Sequence, residues 1–334
     1  MTRDRSRLRL RRRDRRGLTA AAVLAVLSFT ANGCVVVHGE REVLPAATAA
    51  EAAKALQEFT TAYNAADKTY DSSLDAGHVT GALADIDGAR LKAGRANHPD
   101  GNPAHTPLEL TDAKFTVVEK PGWPRWFLAD ARGNKGGDAR WLLVFTRDRR
   151  DAPWEVAYLT LVAPGDVPRF KKDEDGHVEA VPADSPELAV APADLSQGYA
   201  TYLKEGGTAF AEGTHTSDWR DLRERNARRP GLVRQYIDEP LSRGDYAPLA
   251  LRTADGGALV FFSTHHYEKQ TAAAGAEVPV PNDDVLALTT GEIKQSLTME
   301  FVSNEVVLNP RKGAGRPQVK MLGRIQGLTA AKGE

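Results

Sequence analysis

The chain of 334 residues has one cysteine, Cys34, so it cannot form a disulfide within itself. Its fold must therefore be stabilised by the burial of apolar side chains. Hydrophobic residues make up 41% of the chain, which is enough to build ordinary cores. A body of roughly 300 residues after Cys34 is long for one core and predicts two domains.

The residues before Cys34 have the pattern of an export signal. Nine arginines lie within residues 3–16, and a 12-residue apolar run follows at residues 18–29. Arginine is costly to move into hydrocarbon, so this end stays in the cytoplasm, and the run is too short to span a bilayer comfortably. Ala31 and Gly33 are small enough to fit a peptidase just before Cys34.

This arrangement resembles the lipobox of bacterial lipoproteins, in which the cysteine becomes the first mature residue and carries diacylglycerol. Ala31 stands where leucine is usual. The resemblance implies a signal peptide at residues 1–33, lipid on Cys34 and a location on the outer face of the cytoplasmic membrane. An uncleaved signal anchor is the alternative. Arg15 and Arg16 resemble a twin-arginine signal, so the twin-arginine and general secretory routes both stay open.

The mature chain alternates between helical and strand patterns. We predict a tether at residues 34–47, a first α+β domain at 48–163, a proline-rich linker at 164–192 and a second α+β domain at 193–334. Apolar residues spaced three and four apart predict two helices in each domain, and aromatic and β-branched runs predict the strands that follow. The predicted helical stripes begin at Ala52, Val79, Leu195 and Ser217. The predicted strands are 114–118, 125–131, 140–147 and 154–162, then 246–253, 257–266, 285–289, 293–301 and 319–326.

Helices followed by strands in each half resemble the cystatin-like or NTF2-like α+β cone. The resemblance implies two tandem units, each with N-terminal helices packed on a bent antiparallel sheet. Separately, the signal, the phrase Gly122-Trp123-Pro124 and residues 140–146 are similar to a group of uncharacterised lipoproteins from high-GC Gram-positive bacteria. That group implies no specific function.

Histidines suggest metal sites, but their spacing argues against them. His265 and His266 are adjacent in a predicted strand, so they point to opposite faces, and only His266 shares a face with Glu268. His98 and His105, together with Asp100, lie in a loop and are the other candidate ligands. We predict one strand histidine packed and one solvated, and no metal site in either place.

Other motifs fail on their spacing. Asp173, Asp175 and Gly176 suggest a calcium loop, but Lys171 and Pro182 would then occupy ligand positions. The glycines of residues 313–316 lack the spacing of a phosphate loop and predict a turn. Hydrolase signatures such as Gly-x-Ser-x-Gly are absent from the sequence. We therefore predict no catalytic residue, no cofactor and no metal.

Four of the five tryptophans fall on successive strands of the first half. Either they line a concavity for a small apolar ligand, or they fill the core between helix and sheet. We predict that Trp141 and Trp154 belong to the core and that Trp123 is the most exposed. The whole aromatic set is Trp123, Trp126, Phe127, Trp141, Phe145, Trp154 and Tyr158.

These features predict a lipid-anchored protein that binds or scaffolds at the cell surface without catalysis. A hydrolase or cyclase with a pocket in one domain is the alternative, and a spacer is a third possibility. The predicted partners are the membrane, through lipid on Cys34, and an unknown surface protein or a small apolar ligand. The part after residue 33 has 35 basic and 43 acidic residues, which excludes a nucleic-acid binder that relies on clustered cations.

Overall fold

The computed structural model describes residues 44–120 and 122–334, so Cys34 and the predicted signal peptide lie outside the described residues. The residues from Val43 onward form one compact unit. Helices and largely antiparallel sheets confirm the α+β class. No helix in the described ranges is long and apolar enough to cross a membrane.

The first half contributes two helices and a meandering sheet. Its elements are β1 (Leu44–Pro45), α1 (Ala49–Thr69), α2 (Gly81–Asn97), β2 (Leu110–Lys120), β3 (Arg125–Gly133), β4 (Arg140–Arg147), β5 (Glu155–Val162) and β6 (Val178–Glu179). The strand order is β1-β2-β3-β4-β5, and β6 pairs with β2 in parallel. The four strands predicted here are all present, and β4 has the predicted bounds.

Helix α1 begins with a capping box. The Thr48 hydroxyl accepts from Glu51 N at 3.1 Å, and Glu51 Oε2 accepts from Thr48 N at 2.8 Å. These bonds satisfy backbone donors that a helix start leaves free. Leu56 and Phe59 then bury the predicted apolar stripe against the first sheet.

The second half contributes a larger sheet and three helices. Its elements are α3 (Leu195–Glu205), α4 (Ser217–Asn226), β7 (Arg228–Arg229), β8 (Leu232–Leu241), β9 (Leu249–Arg252), β10 (Ala258–Ala272), α5 (Asp283–Leu288), β11 (Thr289–Thr290), β12 (Ser296–Asn309) and β13 (Lys320–Gly333). The strand order is β11-β13-β12-β10-β8-β7, and β9 also pairs with β10.

One prediction for this half is wrong, and one strand was missed. The predicted strand at 285–289 is largely helix α5, because Asn282 Oδ1 accepts from Val285 N at 3.0 Å and two aspartates fill the first turn. Strand β8 was not predicted. Its apolar Val233 and Ile237 are 47% and 55% exposed, so its hydrophobic pattern points outward.

The two sheets pack face to face between helices. Helix α1 covers the outer face of the first sheet, and α3 covers the outer face of the second. Between the sheets, Trp126 and Tyr158 of the first share a core with Phe261 and Val306 of the second. Helix α2 packs on another part of the second sheet, where a Cβ at Gly327 would lie 2.5 Å from Ile86.

The resemblance to cystatin-like or NTF2-like cones is therefore not confirmed. In such a unit, a helix occupies one face of a bent sheet. Here each sheet carries a helix on one face and the other sheet on its second face. In two independent units, the second face of each sheet would not contact the other unit. Here these two faces form one shared apolar core.

The segment at 164–192, predicted as a linker, contacts both sheets. Its strand β6 pairs with β2, and Val178 is 1% exposed. On the other side, Lys171 N donates to Arg252 O at 3.0 Å and Val181 N donates to Ala250 O at 2.9 Å. Only part of it is exposed, including the turn at residues 173–176. The boundaries of two domains stay a prediction.

Candidate functional site: a cationic recess around Trp123

The tryptophans of the first half divide as predicted. Trp126, Trp141 and Trp154 are 2%, 8% and 8% exposed, and Trp123 is 40% exposed. Trp141 and Trp154 pack with Phe127 and Phe145 beneath α1, whereas Trp126 and Tyr158 lie between the sheets. Apart from Trp123, the aromatic set therefore fills two cores on opposite faces of one sheet and does not line a single concavity.

Trp123 borders a recess of about 550 Å³ at the start of the described chain. The recess lies between β1, the first turn of α1 and the adjoining ends of β3 and β4. Its lining consists of Leu44, Pro45, Ala46, Ala47, Thr48, Glu51, Trp123, Arg125, Arg147 and Arg150. Three arginines thus face one carboxylate.

Two of these arginines are stacked on aromatic rings. The guanidinium carbons of Arg125 and Arg147 lie 5.1 and 5.5 Å from the centre of the Trp123 ring. Arg147 is also 4.3 Å from the ring of Trp154. The two arginines face each other because Arg125 and Arg147 are cross-strand partners in the β3–β4 ladder. Cation–π contacts hold both guanidinium groups in place.

The other lining residues do not satisfy all the hydrogen-bond donors of these two arginines. Arg125 Nη1 donates to Pro45 O at 2.8 Å, and Arg147 Nη2 is 4.0 Å from Glu51 Oε1. The Nε atoms of both arginines are buried without a hydrogen-bond partner. The other Glu51 oxygen is held in the capping box of Thr48.

The electrostatics favour an anion in the recess. The pKa of Arg147 is lowered, first by burial and then by the neighbouring charges of Arg125 and Arg150, and Glu51 opposes this shift. The backbone hydrogen bond from Thr48 lowers the pKa of Glu51, so this carboxyl stays charged. An anionic group can accept bidentate hydrogen bonds from guanidinium groups and would relieve their mutual repulsion.

The paired histidines of β10 lie on opposite faces, as predicted. His265 is partly exposed and contacts Tyr267 in a tilted arrangement, with ring centres 4.4 Å apart. His266 is 2% exposed and stacks on Phe301 at 4.7 Å. Glu268 shares a face with His266 but pairs with Arg234 at 3.1 Å.

His266 belongs to a polar layer that we define as Thr264, His266, Ser303, Glu305 and Arg324. This layer lies on the outer face of the second sheet, beside α4. Thr264 donates to Glu305 at 2.7 Å, and Arg324 donates to Ser303 at 3.1 Å. Burial raises the pKa of Glu305 to about 8, and burial with the charge of Arg324 lowers that of His266 to about 2.

The polar layer is closed rather than open to a substrate. Glu305 and Ser303 are both 0% exposed. Above them, Arg324 stacks on Trp219 of α4 at 5.0 Å. Arg223 of the same helix makes a bidentate pair with Asp238 of β8 at 2.7 and 2.9 Å. These contacts attach α4 to the sheet.

The loop histidines are not brought together with Asp100 around one point. His98 stacks on Tyr70, with ring centres 6.3 Å apart. His105 Nδ1 lies 2.7 Å from Asp67 Oδ2, and Arg90 Nη1 donates to the other oxygen of Asp67 at 2.6 Å. Arg90 also binds Asp87. Burial and the neighbouring Asp87 raise the pKa of Asp75 to about 8.

One cluster with metal-ligand geometry is present in the described ranges, and it combines residues that we did not connect. It consists of Glu119, Asp173 and His177. Asp173 was a candidate within a calcium loop, but Asp175 and Gly176 form the turn beside it and contribute no side chain to the cluster. The predicted turn near Gly313 is also present.

The arginines of the recess were missed because they form no sequence motif. Arg125 and Arg147 stand at the outer ends of two predicted strands. The register across the connection between those strands, where Arg132 pairs with Arg140, sets them opposite each other. The register between the two predicted strands was the signal from which this contact between the arginines could have been predicted.

Comparison with known proteins shows that a single family model covers the residues of both sheets. The family model described as "Domain of unknown function (DUF8094)" matches residues 43–333. An uncharacterised lipoprotein of Streptomyces coelicolor is 69% identical over 334 residues, and one of Streptomyces avermitilis is 60% identical, each over 100% of both chains. A second S. coelicolor lipoprotein is 28% identical over 217 residues, 61% of this chain and 59% of its own. No solved structure matches this chain.

Proposed function

This chain belongs to the DUF8094 family, and two relatives that match it over their full length are named uncharacterised lipoproteins, so we propose that it is a lipid-anchored protein on the outer face of the cytoplasmic membrane. The lipid is carried by Cys34. Diacylglycerol supplies two acyl chains, which is enough for stable anchoring.

The body, in this proposal, binds the anionic headgroups of the same membrane through the recess around Trp123. The observation that carries it is the pair of arginines stacked on an exposed tryptophan, with one carboxylate among three cations. Guanidinium groups recognise phosphate, and tryptophan is favoured at the membrane–water interface.

The position of the recess along the chain supports this partner. Leu44 lines the recess and is ten residues after Cys34. Ten residues span at most about 35 Å. The recess is therefore at most about 35 Å from the lipidated residue along the chain. Anionic lipid headgroups lie within this distance of it.

The role is one of binding and not of catalysis. The best-formed acid–base pair that we find in the described chain, Asp67 with His105, is already occupied because Arg90 and Asn102 also donate to Asp67. Glu305 and His266 are enclosed beneath α4. Both arrangements are those of structural contacts, which favours binding over the hydrolase or cyclase alternative.

The anchor is tested by replacing Cys34 with serine. Thioether formation requires the sulfur, so the variant should be released to the medium or stay as uncut precursor. Cell fractionation and mass measurement of the N-terminus distinguish these forms. A Cys34→Ser protein that is processed and retained in the membrane like the parent would refute the anchor.

The recess is tested on the unlipidated chain, residues 35–334, with vesicles that contain phosphatidylglycerol in phosphatidylcholine. Arg147→Gln and Arg150→Gln should each weaken co-sedimentation by about fivefold, because a basic residue near an anionic surface contributes about 1 kcal/mol. Trp fluorescence should shift to shorter wavelength on binding, and Trp123→Phe should remove that shift.

Arg149→Gln is the matched control, because Arg149 is on the same loop, pairs with Asp151 and does not line the recess. If Arg149→Gln weakens binding as much as Arg150→Gln does, the attraction is diffuse and the recess is not the site. Glycerol 3-phosphate is the second arm. Saturation of the recess by this soluble compound, with no binding to vesicles, would identify a free phosphate ligand and overturn the headgroup assignment.

A further inference from the structure

Glu119, Asp173 and His177 place three potential metal ligands at one point on the edge of the first sheet. One ligand atom of each residue lies within 4.8 Å of the others. His177 Nδ1 is 3.2 Å from Glu119 Oε1 and 3.9 Å from Asp173 Oδ2. None of the three residues lines the recess around Trp123, and the proposed membrane function does not use them.

The backbone fixes two of these ligands before any ion is bound. Asp173 Oδ1 accepts from Asp175 N and His177 N, both at 2.9 Å. The same turn is closed by Asp173 N donating to His177 O at 3.0 Å. Because Oδ1 is occupied, Oδ2 is the oxygen directed toward His177.

The third ligand is fixed by strand pairing. Glu119 is in β2, and His177 directly precedes β6. The two strands pair in parallel through Val118 with Val178, which are 0% and 1% exposed. This buried pair holds the Glu119 side chain beside the imidazole.

The chemistry of the set selects the kind of ion. His177 Nδ1 is buried and makes no hydrogen bond of good geometry, although it lies 3.2 Å from Glu119 Oε1, and in the Nε2–H tautomer this nitrogen carries the lone pair that a metal ion needs. One imidazole nitrogen with two carboxylate oxygens suits Zn²⁺ and related transition metals, whereas Ca²⁺ and Mg²⁺ prefer oxygen alone. The side chains keep 22% to 41% exposure, which leaves room for water as a further ligand.

We propose that Glu119, Asp173 and His177 bind one divalent transition-metal ion, with Zn²⁺ as the preferred ion. The ion fastens the turn at 173–177 to the first sheet. The other side of this segment is hydrogen-bonded to β9 of the second sheet, through Lys171 and Val181. Metal binding therefore strengthens a connection between the two sheets.

The experiment is calorimetric titration of ZnCl₂ into the metal-stripped full chain in detergent. We expect one ion per chain. His177→Ala and Asp173→Asn should each weaken binding by at least about tenfold, since even residues that only orient a ligand have effects of that size. His78→Ala is the matched control, because His78 is another partly exposed histidine and lies outside the cluster. It should bind like the parent.

A second measurement keeps the test valid if a variant is unstable. Zn²⁺ should raise the melting temperature of the parent and of His78→Ala but not that of His177→Ala, and it should slow proteolysis within residues 171–176 only where the cluster is intact. Circular dichroism without metal confirms that each variant is folded. Equal Zn²⁺ affinity in His177→Ala and the parent, or no binding to a folded parent, would overturn the proposal.

Discussion

Replacing Phe261 by alanine should destabilise the whole described body and not only its second half. Phe261 is in β10, is 0% exposed, and its ring lies 6.0 Å from that of Tyr158 in β5. Leu128 and Val144 of the first sheet belong to the same core cluster. The substitution therefore opens a cavity that both sheets border.

The size of the effect follows from this burial. Removing a fully buried phenylalanine side chain costs about 3–5 kcal/mol, because transfer energy is lost and a cavity remains. With a urea dependence of about 3 kcal/mol per molar for a large domain, the midpoint should fall by about 1–1.7 M. Phe261→Leu keeps most of the volume and should cost less than about 1.5 kcal/mol.

Urea unfolding with two probes measures whether the sheets unfold together. In a Trp219→Phe background, every remaining tryptophan belongs to the first half, so fluorescence reports the first sheet while far-UV circular dichroism reports both. We expect one transition, displaced equally in both signals. A fluorescence transition that Phe261→Ala leaves in place would show that the halves unfold independently, as the sequence predicts, and would refute the shared core.

Three further predictions test other parts of the structure. Trp141→Ala should lower the free energy of unfolding by about 3–5 kcal/mol and Trp123→Ala by much less; equal losses in chemical denaturation would contradict their different burial. The raised pKa of Glu305 means that the folded protein keeps a proton that the unfolded chain has lost, so stability falls as pH rises from about 4.5 to about 8. Glu305→Gln should reduce that fall by about 1.4 kcal/mol per pH unit, and an unchanged slope would show that Glu305 is ionised. Proteolysis at the exposed turn 171–176 should leave two fragments that co-elute on gel filtration, and their separation would contradict the contacts of this segment with both sheets.

Strand patterns in the first half could be predicted because burial there follows the sequence. Residues 141–145 of β4 are aromatic or aliphatic and all buried, so the pattern and the structure agree there. Strand β8 could not be predicted in this way. It turns Arg234 toward Glu268 and Asp238 toward α4, and it leaves Val233 and Ile237 exposed. A prediction that places apolar residues in the core assigns the two faces of such a strand the wrong way round.

The candidate sites depended on pairings that local patterns do not contain. Arg125 meets Arg147 only in the register of the β3–β4 ladder. Glu119 meets His177 only because the two-residue strand β6 pairs with β2, and so short a strand has no periodicity to detect. The exposure of Trp123 was predictable, by contrast, because its neighbours Gly122 and Pro124 interrupt the strand pattern.

The polar layer on the second sheet has a consequence for the fidelity of folding. Long strands such as β10 and β12 can mispair by one residue, and a slip of that size moves every side chain to the opposite face. Glu305 and His266 would then move to the opposite face, away from Thr264 and Arg324. An apolar strand would tolerate the error far better than this one does. The layer therefore rejects shifted registers while the sheet assembles, and it restricts the chain to a single arrangement of its longest strands.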